Sequence, residues 1–77
     1  MDIQKFVALF AEQFDSTAPE LFTPALKFRD LEEWDSLAAL SIIAMVDEEY
    51  EIRITGADIR GTSTIEELFN IISTKKS

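Results

Sequence analysis

Residues 36–50 read SLAALSIIAMVDEEY, a run without glycine or proline that predicts the strongest helix in the chain. At about 100° per residue, one face of this helix is apolar and suited to a core, and it consists of Ala39, Ile42, Ile43, Val46 and Tyr50. A second apolar set, Leu37, Leu40 and Ala44, projects to a different side. A helix that is apolar on two sides is either sandwiched between other elements or contacts a partner.

The sequence before this helix predicts one more helix and a long loop. Apolar residues at helical spacing indicate an amphipathic helix over residues 3–14, with Asp2 as its N-cap. Residues 15–34 lose this spacing but keep returning to side chains expected to be buried, namely Leu21, Phe22, Leu26, Phe28, Leu31 and Trp34. We expect a loop pinned to the core, in which Thr23 followed by Pro24 caps a short helical turn. Connections of this kind are often functional.

The sequence after residue 50 predicts a link and two helical segments. Residues 52–54 alternate in polarity, but no second strand signal is present to pair with them, so the link is expected to be extended. A short helical turn is expected over residues 57–60. Ser63 followed by Glu66 fits a capping box for the last helix, whose apolar stripe is Ile65, Leu68, Phe69 and Ile72. The predicted fold class is all-α: a small bundle of three main helices plus a short helix, with a long loop between helices 1 and 2.

Length and composition restrict the classes of function. The chain has 77 residues, which supports a single domain over residues 1–77 and leaves little room for an active-site cavity. It contains no cysteine and no histidine, which removes thiolate zinc sites, cysteine nucleophiles and the commonest general base. We therefore expect a protein that is not an enzyme and has no catalytic or metal-binding residues of its own.

The charge of the chain is strongly negative and unevenly placed. The net charge is −8, and eight of the fifteen acids fall within residues 30–51, a stretch without Lys or Arg. Such a surface disfavours nucleic acid and anionic membranes and favours partners that present Lys and Arg. Neither a signal peptide nor an apolar run of about 18 residues is present. We expect a cytoplasmic monomer that binds no nucleic acid and does not insert into membranes.

Ser36 stands directly after Asp35, at the predicted start of the strongest helix. Its simplest role is that of a helix N-cap, whose hydroxyl accepts a hydrogen bond from a first-turn N–H and contributes about 1 kcal/mol. A serine oxygen at a helix N-terminus also suits a phosphodiester, because unpaired N–H groups and the positive end of the helix dipole favour an anion there. The local physics permits both roles.

The wider context resembles the acyl and peptidyl carrier protein family. Residues 31–37, LEEWDSL, look like the family's signature, in which Asp-Ser-Leu marks the serine that receives 4'-phosphopantetheine from coenzyme A. The resemblance extends over nearly the whole chain, from the first amphipathic helix and the long loop to the Ile-x-Ile link and the final helix. It implies that Ser36 carries a covalent phosphopantetheine arm, that the arm holds acyl intermediates as thioesters, and that catalytic groups come from partner enzymes.

The resemblance also implies roles for residues around the serine. Asp35 would orient the modifying enzyme and its metal-bound coenzyme A, and Leu37 would enter an apolar pocket on partners, with Leu40 on the same surplus face. Asp47 and Glu48 would meet basic residues of the partners, although acids that end a helix often form only a solvated face. The expected partners are a phosphopantetheinyl transferase, acyl- or aminoacyl-activating enzymes, and acyltransferases or synthases with basic docking surfaces.

The sequence departs from the commonest fatty-acid carriers at three positions. Trp34 stands where a glycine usually precedes the Asp-Ser pair, and Ala38 and Ser41 replace expected acids. Trp34 looks more like carriers of specialised pathways, although its simplest role is an aromatic side chain that closes the top of the bundle. We expect a free-standing acyl carrier protein of a specialised biosynthetic pathway. Two alternative interpretations are a peptidyl or D-alanyl carrier and an unmodified acidic interaction module that docks through the second apolar set.

Overall fold

The computed structural model describes residues 2–76 and, within them, contains helices and no strands. The elements in chain order are α1 (Ile3–Ala11), α2 (Ser36–Tyr50), α3 (Gly56–Arg60) and α4 (Ile65–Lys76). The loop between α1 and α2 contains two short 3₁₀ turns, Pro19–Leu21 and Phe28–Asp30. The predicted all-α class, the extended link after α2 and the short third helix are therefore confirmed.

The core draws on all four helices and on the long loop. Its largest fully buried side chains are Phe6, Phe10, Phe28, Ile42, Val46, Ile54, Ile65, Leu68 and Ile72. Phe28 comes from the loop, and its ring centroid lies 5.5 Å from that of Phe10 in α1. Aromatic packing therefore pins the loop to the core, as predicted. Of the other loop side chains expected to be buried, Phe22 is buried, and Leu26, Leu31 and Trp34 are partly buried. Leu21 was expected to be buried but is 54% exposed, because it closes a 3₁₀ turn on the surface.

Helix α1 begins where predicted but ends earlier. The Asp2 carboxylate accepts the Gln4 N–H at 2.9 Å, which confirms the N-cap. The helix ends at Ala11 and not at Phe14, because the Phe14 N–H closes a tighter turn onto the Ala11 carbonyl at 3.0 Å. Phe14 is nevertheless buried, with its ring stacked on Phe10. The apolar pattern thus predicted burial correctly beyond the point where the helix stops.

Helix α2 spans the predicted residues, but its buried face is rotated slightly. Ala38 and Met45 are buried together with Ile42 and Val46, whereas Ala39, Ile43 and Tyr50 are only partly buried. The helix ends because Glu51 adopts a left-handed conformation, with φ of 56°. None of the helices in residues 2–76 has both the length and the apolar character of a membrane span.

The predicted capping pair of α4 is displaced by one residue. The Thr64 hydroxyl accepts the Glu67 N–H at 3.2 Å, and the Glu67 carboxylate accepts the Ser63 N–H at 2.7 Å. The pairing of Ser63 with Glu66 was therefore wrong. Thr64 is the residue directly before the first helical residue, so its hydroxyl and not that of Ser63 reaches the first turn.

The loop segment around Pro24 supports the start of α4. Its carbonyl accepts the Glu66 N–H at 2.9 Å, and the Leu26 carbonyl accepts the Ile65 N–H at 3.2 Å. A short turn is present where it was expected, at Thr23 and Pro24, and it is closed by the Leu26 N–H on the Thr23 carbonyl at 3.0 Å. The loop uses its carbonyls to satisfy helix N–H groups that otherwise lack partners.

Candidate functional site

Asp35, and not Ser36, caps helix α2. Asp35 is extended, with φ of −153°, and its carboxylate accepts the Ala38 N–H at 2.8 Å. Its carbonyl accepts the Ala39 N–H at 3.0 Å, the first hydrogen bond of the helix. Ser36 is the first residue of the helix itself. The N-cap role that the sequence allowed for Ser36 is therefore wrong, and the start of α2 does not depend on its hydroxyl.

The Ser36 side chain is exposed, and its hydroxyl forms no hydrogen bond with any residue in the range 2–76. The N–H groups of Ser36 and Leu37 also lack acceptors in that range, as expected for the first turn of a helix. The hydroxyl thus lies at the positive end of a 15-residue helix, next to free donors. A negatively charged substituent on this oxygen would be stabilised there.

Polar contacts hold the loop in front of the helix. The Glu33 carboxylate accepts the Ser16 N–H at 3.0 Å and also accepts the Thr17 hydroxyl. These bonds join the two ends of the loop, since the partners lie 16 and 17 residues apart in sequence. The backbone that leads into the cap of α2 is therefore tied to the segment that leaves α1.

Trp34 packs on the aromatic cluster directly before the cap. Its ring centroid lies 4.8 Å from that of Phe28 and 6.5 Å from that of Phe10, with the second pair nearly parallel. The side chain is half-buried, which agrees with the expected role of closing the top of the bundle. This packing places the following residue, Asp35, at the edge of the core.

A depression of about 300 Å³ lies beside Ser36, between the start of α2 and α3. Its walls are formed by Arg29, Trp34, Asp35, Ser36, Ala39, Gly56, Ile59 and Arg60. One part is apolar, while the two arginines supply positive charge next to the serine. The Arg29 Nη1 donates to the Arg60 carbonyl at 3.1 Å and so joins the loop to the end of α3.

The second apolar set of α2 faces away from the bundle. Leu37 is 72% exposed and Leu40 is 59% exposed, and Ala44 is also exposed. The set is therefore not sandwiched between elements in the described part of the chain. Asp47 and Glu48 are exposed further along the same helix, so the structure places acids and apolar side chains on one accessible element.

Sequence reasoning did not identify the exposure of Leu21 or the positions of Arg29 and Arg60 beside Ser36. The sequence did contain an indication that Leu21 is exposed, because Pro19 favours a tight turn, and Leu21 lies in that turn on the surface. The arginines gave no signal, since their proximity depends on tertiary packing. Residues 2–76 contain no group of three or more acidic side chains placed to hold a metal ion.

The family model for the phosphopantetheine attachment site matches residues 4–72, and the chain belongs to this family. It is a carrier protein with covalently attached 4'-phosphopantetheine, and it is not an enzyme. The described residues fit such a group, because the start of α2 offers an exposed serine hydroxyl without a hydrogen-bond partner beside free N–H donors. No curated protein and no solved structure matches the chain significantly.

Proposed function

We propose that this carrier is an acyl carrier protein in which the Ser36 oxygen holds the arm through a phosphodiester. The observation that carries the proposal is that Asp35 caps α2 and leaves the Ser36 hydroxyl exposed and without a partner. Modification of this oxygen breaks no hydrogen bond within residues 2–76. The new negative charge lies at the favourable end of the helix dipole.

When bound, the arm supplies a thiol that holds the acyl group as a thioester, while the catalytic groups belong to partner enzymes. The residues of this chain position and present that group. Asp35 holds the first turn of α2 in place and offers a carboxylate beside Ser36 to the transferase and its metal-bound coenzyme A. The capped first turn of α2 presents the exposed Ser36 oxygen to the modifying enzyme.

We further assign the contact with partner enzymes to the exposed side of α2. Leu37 and Leu40 would enter apolar pockets, because burying either side chain removes a large exposed area from water. Asp47 and Glu48 would steer the approach of basic surfaces. Docking of this kind is modest in affinity and dependent on salt, which permits release between successive partners.

The residues next to the serine support the assignment to a specialised pathway. Trp34, Ala38 and Ser41 in place of a glycine and two acids favour a specialised pathway over housekeeping fatty-acid synthesis. A single carrier domain that acts as a cytoplasmic monomer fits the charge and size of the chain. A peptidyl or D-alanyl carrier would keep the same fold and the same serine. The two kinds of carrier are distinguished by the enzyme that loads the arm: an aminoacyl-adenylating enzyme would load a peptidyl or D-alanyl carrier, and an acyl-activating enzyme would load an acyl carrier.

The proposal is tested by intact mass after incubation with coenzyme A, magnesium and a broad-specificity phosphopantetheinyl transferase. We expect wild type to gain one phosphopantetheine and Ser36→Ala to gain none. Ser41→Ala is the matched control, because Ser41 is the next serine of α2, and it should be modified like wild type. No gain on folded wild-type protein with several transferases would refute the assignment and favour an unmodified interaction module. A gain on Ser36→Ala would refute Ser36 as the attachment residue.

A further inference from the structure

The fold brings two arginines to the most acidic part of the chain. Residues 30–51 contain no Lys or Arg. Arg29 directly precedes this stretch, and Arg60 is the last residue of α3, yet both line the depression that also contains Ser36. Two of the seven basic residues of a chain with net charge −8 therefore converge beside one serine.

The two arginines differ in how their guanidinium groups are placed. Arg29 donates one hydrogen bond to the Arg60 carbonyl, and its other N–H groups remain available. The Arg60 guanidinium lies back along its own helix, because a Cβ at Gly56 would be only 3.2 Å from its Nη1. Residues 2–76 contain one ion pair, between Lys75 and Asp58, so neither arginine is neutralised by a carboxylate within that range.

We propose that Arg29 and Arg60 together bind the phosphodiester that links the arm to Ser36, an inference that rests on the proposed function. The planar guanidinium group suits phosphate oxygens, to which it donates two parallel hydrogen bonds. The phosphodiester would otherwise lie next to the Asp35 carboxylate on a strongly acidic protein. The two arginines offset this repulsion, and the free N–H groups at the start of α2 add to the same anion site.

The site also directs the first part of the arm. Beyond the arginines the depression is lined by Trp34, Ala39 and Ile59, which present apolar surface. A phosphodiester followed by a branched aliphatic segment matches a basic rim next to an apolar floor. The bound arm would therefore leave Ser36 toward α3 and away from the exposed leucines of α2, which stay accessible to a partner.

The test compares apo and holo protein by amide proton and nitrogen NMR, after complete conversion has been verified by mass. Gly56 and Ile59 report on the site, because they line the depression but lie on a different helix from Ser36. Conversion of wild type should shift both resonances, and the double substitution Arg29→Gln with Arg60→Gln should reduce these shifts to roughly half or less. Phosphorus NMR of the phosphodiester should show the same loss.

Arg53→Gln is the control for the loss of a positive charge, since it replaces one exposed arginine that does not line the depression. It should retain the wild-type shifts. Raising the salt concentration should weaken the shifts in the holo form of the wild-type protein. This measurement needs no substitution, so the test stays valid if the double variant fails to fold. Shifts that are insensitive to salt would overturn the proposal.

The possible failures are distinct. If wild type gains no phosphopantetheine, both the proposed function and this inference fail. If it is modified but the double variant keeps the wild-type shifts, or Arg53→Gln reduces them as much as the double variant does, only the role of Arg29 and Arg60 is refuted. A holo protein without shifts at Gly56 and Ile59, combined with shifts when coenzyme A is added to Ser36→Ala, would assign the arginines to the phosphates of the free donor and overturn the proposal.

Discussion

The Asp35 carboxylate accepts the Ala38 N–H at 2.8 Å, and this bond separates the structural role at the start of α2 from the hydroxyl of the neighbouring serine. Asp35 stabilises the helix, while Ser36 contributes no hydrogen bond to the fold within residues 2–76. Stability and modification can therefore be changed independently by substituting one residue or the other.

Asp35→Ala should lower the free energy of unfolding by about 1 kcal/mol, because the first turn loses its side-chain cap. Ser36→Ala should change it by less than about 0.5 kcal/mol, since an exposed residue without a partner is replaced by a good helix former. Urea denaturation of the apo proteins measures both values. Asp35→Asn is the control, because it keeps the capping oxygen and should retain most of the stability. Equal losses for Ser36→Ala and Asp35→Ala would contradict the assignment of the cap.

Tyr50→Phe should stabilise the protein. The Tyr50 hydroxyl is buried and has no hydrogen-bond partner within residues 2–76. An unsatisfied buried polar group costs about 1–3 kcal/mol, so its removal should raise the free energy of unfolding by about 1 kcal/mol while the ring keeps its contact with Phe6. Tyr50→Leu, which removes ring and hydroxyl together, should be destabilised. A Phe variant less stable than wild type would show that the hydroxyl has a partner.

The same residue predicts a loss of stability in alkali. Burial, and then the charges of Glu49 and Asp2, raise the pKa of Tyr50 above its ordinary value of 10.0. Below that pH both the folded and the unfolded state keep the proton. Above it the unfolded state ionises first, so it binds fewer protons and the free energy of unfolding falls. The decline above about pH 10 should be smaller in Tyr50→Phe, and identical pH profiles for the two proteins would contradict the raised pKa.

The short helix α3 should respond to acid. Its capping box joins Thr55 and Asp58, and the hydrogen bond from the Thr55 N–H, followed by the charge of Lys75, lowers the pKa of Asp58 against an opposing effect of burial. This contribution is present above about pH 4 and is lost as the pH falls through the lowered pKa. Asp58→Asn keeps an acceptor for the Thr55 N–H but loses the charge that faces Lys75, so it should cost less than about 1 kcal/mol at neutral pH and flatten the acid limb. Asp15→Asn, an exposed loop position, should do neither.

Much of the fold was predictable because its signals are local. The bounds of α2 followed from a run without Gly or Pro, and the link after it followed from the lack of any strand to pair with. Capping was less predictable, since Asp35 and Ser36 are both good caps and stand side by side. The same ambiguity displaced the cap of α4 from Ser63 to Thr64. Neighbouring cap residues differ in role only through the backbone angles that the packed loop imposes.

The arginines beside the serine lay outside what the sequence could reveal. Arg29 and Arg60 are 31 residues apart, and their contact depends on the loop and α3 packing against the same end of α2. No periodic pattern in the sequence indicates that these two residues lie close together. The sequence motif and the family resemblance were enough to identify Ser36. That Ser36 does not cap the helix became clear only from the structure, in which the Asp35 carboxylate accepts the Ala38 N–H.

Leu37→Ala should weaken partner recognition without weakening the fold. The side chain is 72% exposed, so its truncation should change the free energy of unfolding by less than about 0.5 kcal/mol. Burial in a pocket of a partner would make the same truncation cost more than about 1 kcal/mol of binding, or on the order of tenfold in the efficiency of loading. Leu21→Ala is the matched control, because Leu21 is also an exposed leucine but lies outside α2, at 54% exposure. Loading kinetics of the modified proteins by one activating enzyme provide the measurement. Equal losses for the two variants would indicate a general effect of surface hydrophobicity, whereas a loss confined to Leu37→Ala would place the docking contact at the first turn of α2, one residue from the serine.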